Sequence, residues 1–484
     1  VNPALRRLAA ACLAALLALA AGLTYHQAVA GSRYRDDGRN PRAALERAVR
    51  SRGPILTADG VVVARSERRD DGTRVRTYPE GALYAHVTGY ASAYFGDTGI
   101  EAARNDDLRS RNDGSLTAAL FSLFGGDLRP HQVRLTVRHD LQRAAAEALG
   151  DQRGAVVALD PTTGAVLALV SHPGFDPAVL ASGTPAEGDA LAADPAEPLL
   201  NRALGATYPP GSSFKVVVAA AALEGGDHTP ETELPDLDEL PLPGSTAVIR
   251  NADGGFCGNG RSLTLERALA VSCNTAFAQL GMDLGAAALF NAAEAAAFNG
   301  TVPFDLGVVP SLFPPGDLSR DLPALAQTAL GQRDVRATPL QMALLAAAVA
   351  NDGVAMRPHL VAAILDADGG EVGRTRGASW RRVMGRDTAA ALTRMMEQVV
   401  VAGTGWRAAV PGERVAGKTG TAEIPGGPPD VWFIGFAPVG AAPGEARIAL
   451  AVLVEDGGRL GEDGGGGSVA APIAQAVLAA FFAG

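Results

Sequence analysis

The chain alternates between apolar runs and short polar punctuation, and the spacing of each run predicts its element. Arg6-Arg7 precede residues 8–23, which carry no charged side chain. Sixteen helical residues span ~24 Å, a little less than a ~30 Å hydrocarbon core, and Thr24 and the interfacial residue Tyr25 extend the run. The pattern predicts a transmembrane anchor over 8–25. Residues 1–7 then form a cytoplasmic tail, because arginines stay on the cytoplasmic side. Ala28-Val29-Ala30 offers the competing reading of a cleaved signal peptide. Either way, the remainder lies outside the cytoplasmic membrane.

Residues 32–50 are polar and arginine-rich, as in a linker or solvated helix. Residues 52–66 read as a hairpin with Ala58-Asp59-Gly60 at its tip, Gly99-Ile100-Glu101 begin a helix, and 140–149 form an amphipathic helix. No catalytic constellation occurs here, so 26–150 is read as a strand-rich, non-catalytic domain. From Gly154 the texture changes. Residues 155–159 and 165–170 form a hairpin around Asp160-Pro161-Thr162-Thr163-Gly164, and a helical middle is alanine-rich at 264–300 and 339–350. Strands return at 415–423, 431–438 and 448–454. Residues 464–467 read as a flexible turn and 470–482 as a closing helix. Strands at both ends with helices between predict an α+β domain over 151–484, with one antiparallel sheet covered by helices.

One helix is apolar nearly all round. Tyr208-Pro209-Pro210-Gly211 make a turn, Ser212 sits where a helix can begin, and the run over 216–223 can stop at Gly225-Gly226. Only its first turn carries reactive groups: Ser212 and Lys215, three apart, share one face. Composition sharpens this reading. Lys215 and Lys418 are the only lysines; the other 40 of the 42 basic residues are Arg. Arg keeps its proton in a protein, whereas a desolvated Lys can give it up.

The net charge of −10 and the lack of a basic stripe exclude nucleic acid as a partner. The three cysteines make no C-x-x-C spacing, and neither His-Glu-x-x-His nor Gly-x-Ser-x-Gly occurs. His26, His86, His131, His139, His172, His228 and His359 have no metal spacing, and no metal or cofactor is expected. Trp380, Trp406 and Trp432 are read as packing residues. Asp366-Ala367-Asp368-Gly369-Gly370 is read as a hairpin turn.

Three motifs stand in order: Ser212-Ser213-Phe214-Lys215, Ser272-Cys273-Asn274 and Lys418-Thr419-Gly420-Thr421. Together they suit acyl transfer. A serine hydroxyl needs a base, and a neutral Lys215 one turn away can be that base. Burial and a nearby Lys418 cation both lower its pKa. The N–H groups at the helix start, with one from the strand carrying Thr421, can face an oxyanion. Ser272 can pass a proton to the leaving amine and Asn274 can hold the substrate amide. Lys418 and Thr419 can bind a terminal carboxylate.

These stretches resemble the penicillin-binding proteins. The resemblance extends to Ala329-Leu330-Gly331-Gln332, Ala337-Thr338-Pro339-Leu340-Gln341-Met342, Asn351-Asp352-Gly353 and Trp432-Phe433-Ile434-Gly435-Phe436-Ala437-Pro438. Anchor, spacer and a single catalytic domain resemble the monofunctional class B branch, notably its actinobacterial PBP A-like members. The resemblance implies the penicillin-binding transpeptidase (serine β-lactamase-like) fold, with helices on both sides of the sheet. It also implies a peptidoglycan D,D-transpeptidase acting in cell-wall synthesis, division and shape. Such an enzyme cleaves D-Ala-D-Ala stem peptides through an acyl-serine and is trapped by β-lactams. Ser212 is then the nucleophile and Lys215 the base; Ser272, Asn274 and Lys418 complete the catalytic set, and Thr419, Gly420 and Thr421 bind substrate. A lipid-linked wall polymerase and division-complex proteins are the implied partners. Many relatives carry His-Ala where this chain has Asp430-Val431.

Other readings compete. Residues 412–419 satisfy the Walker A pattern, but Thr421-Ala422-Glu423-Ile424-Pro425-Gly426-Gly427 cannot be the helix a P-loop requires. Gly403-Thr404-Gly405 imitates a dinucleotide fingerprint but follows a helical stretch, so it is read as a loop. A D,D-carboxypeptidase or β-lactamase shares the motifs; for the latter the nearest acid, Glu294, stands five before Asn299, where four are expected. A non-catalytic penicillin-binding structural or sensor role is the remaining alternative. Cys257 and Cys273 stand sixteen apart outside the membrane, which allows either a disulfide or two buried thiols. Cys12 is read as a small anchor residue.

Overall fold

The computed structural model describes residues 2–26, 51–109, 122–123, 127–252, 254–314, 316, 318–442, 445 and 447–484. Ala28-Val29-Ala30 and the linker 32–50 lie outside the described residues. The first helix, Pro3–Thr24, has no buried residue and is long and apolar enough to cross a membrane. It starts before the uncharged run because Asn2 caps it, its Oδ1 accepting the Ala4 N–H at 3.1 Å, with Pro3 in the first turn.

Along the chain, β1 is Ile55–Leu56, β2 Val62–Arg68, β3 Arg74–Thr77 and β4 Gln132–Leu135. Strands β5 (Gly154–Leu159) and β6 (Val166–His172) follow, then β7 (Val361–Leu365) and β8 (Glu371–Arg374). The last three are β9 (Ala416–Ile424), β10 (Gly427–Ala437) and β11 (Ile448–Val454). The N-terminal sheet has the order β8-β7-β4-β1-β2-β3. The hairpin expected at 52–66 is present as β1 and β2, with Leu56 opposite Val62. Two of the six strands come from far along the chain: β7 pairs antiparallel with β4, with Val361 opposite Leu135 and Leu365 opposite Gln132. Asp366 makes the β7–β8 turn, its Oδ1 accepting the Asp368 and Gly370 N–H groups.

The second sheet has the order β9-β10-β11-β5-β6, all antiparallel, and joins both ends of the 154–484 stretch. Period-2 alternation explains how it is covered. Ala155, Val157 and Leu159 of β5 belong to one core with Phe214 and Leu345, while Val156 and Ala158 belong to another with Leu141, Val477 and Leu478. The helices Lys215–Glu224 and Pro339–Ala350 contribute to the first core; His139–Leu149 and Ala471–Ala483 contribute to the second. Every residue of β11 is buried, as its poor alternation predicts for a central strand. Strand β9, paired only with β10, is left as an edge.

One expectation needs correction. Residues 464–467 are not a loose turn. Gly466 is buried so closely against the sheet that a Cβ would lie 2.5 Å from the Gly420 oxygen and 2.4 Å from that of Trp432. Four glycines in a row read as flexibility in sequence; here one of them permits backbone contact with the sheet.

Candidate active site

The turn at Ser212 differs from the helix start expected there. Residues Gly211–Phe214 form a 3-10 turn that runs into the α-helix Lys215–Glu224, and Ser212 caps nothing. Gly211 causes this. Its φ is +51°, and a Cβ there would lie 2.5 Å from the Thr421 oxygen, so only glycine lets the turn lie against β9. In a 3-10 turn residues three apart eclipse, which aligns Ser212 with Lys215 more strictly than an α-turn would. Ser213 takes the local bond instead, its Oγ donating to the Pro210 oxygen at 2.6 Å. Among the described residues the Ser212 hydroxyl has no hydrogen bond.

The turn is held along its length. Tyr208 pairs in both directions with Ala337 at 2.9 and 2.8 Å, and the Trp432 Nε1 donates to the Pro209 oxygen at 2.9 Å. The Gly211 N–H donates to the Gly331 oxygen at 3.0 Å. Trp432, fully buried, is therefore a packing residue with a positioned N–H.

The Ser272-Cys273-Asn274 segment comes from the other side. Ser272 has φ +59°, a left-handed conformation uncommon for serine, and Asn274 opens the helix Asn274–Ala295. Asn251 braces it. The Asn251 Oδ1 accepts the N–H groups of Asn274 and Thr275 at 3.0 and 3.1 Å, and its Nδ2 donates to the oxygens of Leu237 and Gly255. Cys257 and Cys273 are joined by a disulfide, with Cα atoms 5.8 Å apart. Among the described residues, Asp236 is the one other candidate metal-ligating group close to them, and its carboxylate accepts the N–H groups of Cys257, Gly258 and Gly260.

The three segments converge on the two lysines, both fully buried. Lys215 Nζ donates to the Asn274 Oδ1 and the Ser272 backbone oxygen, both at 2.7 Å, and lies 3.4 Å from the Ser272 Oγ. Lys418 Nζ donates to that same Ser272 Oγ at 2.9 Å and to the Thr419 backbone oxygen at 2.8 Å. One hydroxyl thus bridges both amines. Among the described residues neither lysine has a carboxylate in salt-bridge range. Burial, and then the Lys418 charge, hold Lys215 well below the usual lysine range. Burial pushes Lys418 down to about 7.

Strand β9 brings Lys418, Thr419, Gly420 and Thr421 past the turn. Thr421 is exposed, and as an edge strand β9 leaves alternate N–H groups without a strand partner. The Thr419 hydroxyl hydrogen-bonds with that of Thr404 at 2.6 Å. Gly412 lies before β9, and the residues after Lys418 continue it as strand rather than the helix of a P-loop. Glu294 accepts from the Asn299 amide at 3.0 Å at an exposed position and has no hydrogen bond to this cluster.

Residues 154–479 match the family described as the penicillin binding protein transpeptidase domain. The chain belongs to the penicillin-binding protein transpeptidases. Residues 52–131 match the penicillin binding protein A dimerisation domain. The chain is 41% identical to the peptidoglycan D,D-transpeptidase PbpA of Mycolicibacterium smegmatis, over 500 aligned positions covering 99% of each. It is 40% identical to PbpA of Mycobacterium tuberculosis over the same shares. Among solved structures it resembles penicillin-binding protein A of M. tuberculosis as a ceftriaxone acyl-enzyme complex, with TM-score 0.83 and 39% identity over 90% of this chain and 99% of that one. The crystal structure of PBPA from M. tuberculosis gives TM-score 0.80 at 39% identity, over 89% and 99%.

Sequence reasoning about this transpeptidase missed Asn251, Thr404, the hydroxyl contact of Tyr208 and the pair Arg202–Glu455. Asn251 sits in a glycine-rich turn where Asn is unremarked. Thr404 lies in the loop set aside as a false dinucleotide motif. Arg202 is fully buried, which in a chain with 40 arginines no sequence signal singles out.

Proposed function

We propose that the protein is a peptidoglycan D,D-transpeptidase in which Ser212 is acylated by the stem peptide. The observation that carries this reading is the Ser272 hydroxyl shared by two buried lysines without carboxylate partners, beside the turn of Ser212. The Ser212 Oγ attacks the carbonyl carbon between the terminal D-Ala residues, and its proton passes to neutral Lys215. N–H groups of the Ser212 turn and of β9 stabilise the oxyanion. As the C–N bond breaks, Ser272 delivers a proton to the leaving amine and takes one from the lysines on either side. Asn274 holds the substrate amide, while Lys418, Thr419 and Thr421 bind the terminal carboxylate, with Gly420 giving room. An amine of a neighbouring stem peptide then attacks the acyl-serine, and β-lactams stop at that ester.

The N-terminal helix acts as a single-pass anchor with its tail in the cytoplasm. That topology fits an arginine pair before an uncharged run. It brings the site to the outer membrane face, where a lipid-linked wall polymerase and division-complex proteins would meet it. The domain limits read from sequence, 26–150 and 151–484, fit the matched residues, with the proviso that β7 and β8 complete the N-terminal sheet.

The test is to incubate the full-length protein in detergent with a fluorescent penicillin and map the adduct. Label on Ser212, absent from Ser212→Ala, is expected; label on another residue, or label retained in that variant, overturns the reading. A thioester stem-peptide analogue with a D-amino acid acceptor separates transpeptidation from hydrolysis. Exclusive release of the free acid would favour the carboxypeptidase or β-lactamase alternative.

A further inference from the structure

A second polar cluster lies directly behind the nucleophile turn. Arg202 is fully buried, its Nε donating to the Glu455 Oε1 at 2.8 Å. Its Nη1 and Nη2 donate to the backbone oxygens of Glu197 and Ala196 at 3.1 and 3.2 Å. The other Glu455 oxygen accepts from the Arg153 Nε at 2.8 Å. Glu455 also accepts the Tyr208 hydroxyl at 2.7 Å, on the oxygen that Arg202 uses. Tyr208 stands four residues before Ser212, and its ring meets Trp432 edge-on at 6.3 Å.

Glu455 is also the first residue after β11. It opens the glycine-rich segment whose Gly466 lies on Gly420, and the Gly466 N–H donates to the Thr421 Oγ1 at 3.3 Å. One carboxylate therefore touches the chain leading to Ser212 and roots the loop that borders the β9 substrate edge. We propose that Glu455, acting through Tyr208, is a positioning residue for acyl transfer: it sets the Ser212 turn against β9 without touching substrate.

Two arguments favour positioning over packing alone. Glu455 already has its charge matched by Arg202 and Arg153, so the Tyr208 contact is not required to neutralise it. And acyl transfer depends steeply on geometry: a displacement of ~1 Å can cost up to about a hundredfold in rate. The Tyr208 hydroxyl is bound to a fixed anion, which holds the start of the turn more firmly than ring packing would.

The inference rests on Ser212 being the acylated residue, and mapping the adduct in the wild-type protein tests that separately. The experiment follows fluorescent penicillin labelling of the full-length protein in detergent at several concentrations. It yields the acylation rate constant, the non-covalent dissociation constant and the fraction of protein that labels. Tyr208→Phe keeps the ring and leaves Glu455 with both arginines. Its acylation rate constant is expected to fall about tenfold, with the dissociation constant within about twofold and the labelled fraction unchanged.

A purely structural role would lower the labelled fraction and leave the rate constant alone, and that result overturns the proposal. A Tyr208→Phe rate constant within about twofold of wild type also overturns it. Arg153→Gln, which spares the Tyr208–Glu455 contact, is expected to acylate at the wild-type rate; a loss as large as that of Tyr208→Phe counts against the mechanism. If Glu455→Gln folds, adding Tyr208→Phe to it should cost little more, because both act through one contact. Multiplying losses would mean independent effects and reject the coupling.

Discussion

Two of the regions where the molecule buries cations treat them in opposite ways. Beneath the N-terminal sheet, Glu101 is fully buried and receives Arg76 Nε at 2.5 Å and Arg52 Nε at 2.9 Å, while Arg76 Nη1 also reaches the Gly53 oxygen at 2.9 Å. At the edge of the five-stranded sheet, Lys215 and Lys418 are fully buried and, among the described residues, donate to hydroxyl, amide and carbonyl oxygens rather than a carboxylate. A guanidinium set on a carboxylate stays charged and fixes geometry. An amine buried without one is forced toward its neutral form and becomes able to take a proton. The same burial therefore makes a brace in one region and proton chemistry in the other; the presence of a carboxylate decides which.

The sharpest way to break this contrast is to give the catalytic region the other region's cation. Lys215→Arg installs a group that cannot act as a base. Acylation by penicillin is expected to fall about a thousandfold or more, the upper part of the range for losing a positioned general base. Native far-ultraviolet circular dichroism checks that the variant is folded. Acylation within about tenfold of wild type would remove Lys215 from the base role.

The contrast was half legible in the sequence. Two lysines among 40 arginines marked Lys215 and Lys418 without any structure, and the three motifs tied them to one site. The central sheet was legible for a local reason: β11 and the β5–β6 hairpin carry their burial pattern within a few residues. What depends on distant partners was not. Nothing in residues 361–374 announces that they complete a sheet with residues 132–135, because short strands carry no address for their neighbours. The 3-10 turn at Ser212 was misread as a capped α-helix because its cause, the approach of Gly211 to Thr421, spans some 210 residues. Asn251, Glu455 and the hydroxyl contact of Tyr208 escaped for the same reason: each looks ordinary beside its sequence neighbours and matters through a contact elsewhere.

A second variant attacks the brace. Glu101→Gln leaves buried Arg76 and half-buried Arg52 beside a neutral amide. Removing one partner of a buried ion pair costs about 3–5 kcal/mol, and the retained hydrogen-bonding shape of Gln puts this substitution near the lower figure. The expected result is a lower denaturation midpoint in detergent, with the acylation rate constant of the folded fraction unchanged. An equal midpoint would mean that this pairing adds nothing over a neutral hydrogen bond. A changed rate constant would mean that the two regions are coupled.

The smallest expected effect separates the two lysines from each other. Burial pushes Lys418 down to about 7, and burial and then the Lys418 charge hold Lys215 well below its usual range. Because the Lys418 charge bears on Lys215, Lys215 is expected to lose its proton first as pH rises, with Lys418 still charged. Second-order acylation reports the free protein, so it should rise as Lys215 deprotonates and fall above about pH 7 as Lys418 loses the charge that attracts the penicillin carboxylate. Lys418→Arg keeps a cation at every accessible pH. Its rate at pH 6 should drop only about tenfold, because charge is retained while shape is not, and its alkaline fall should disappear. A loss equal to that of Lys215→Arg would make the two amines one functional unit. An alkaline limb that survives in the variant would assign that titration to another group, and the division of labour drawn from burial and mutual repulsion would fail.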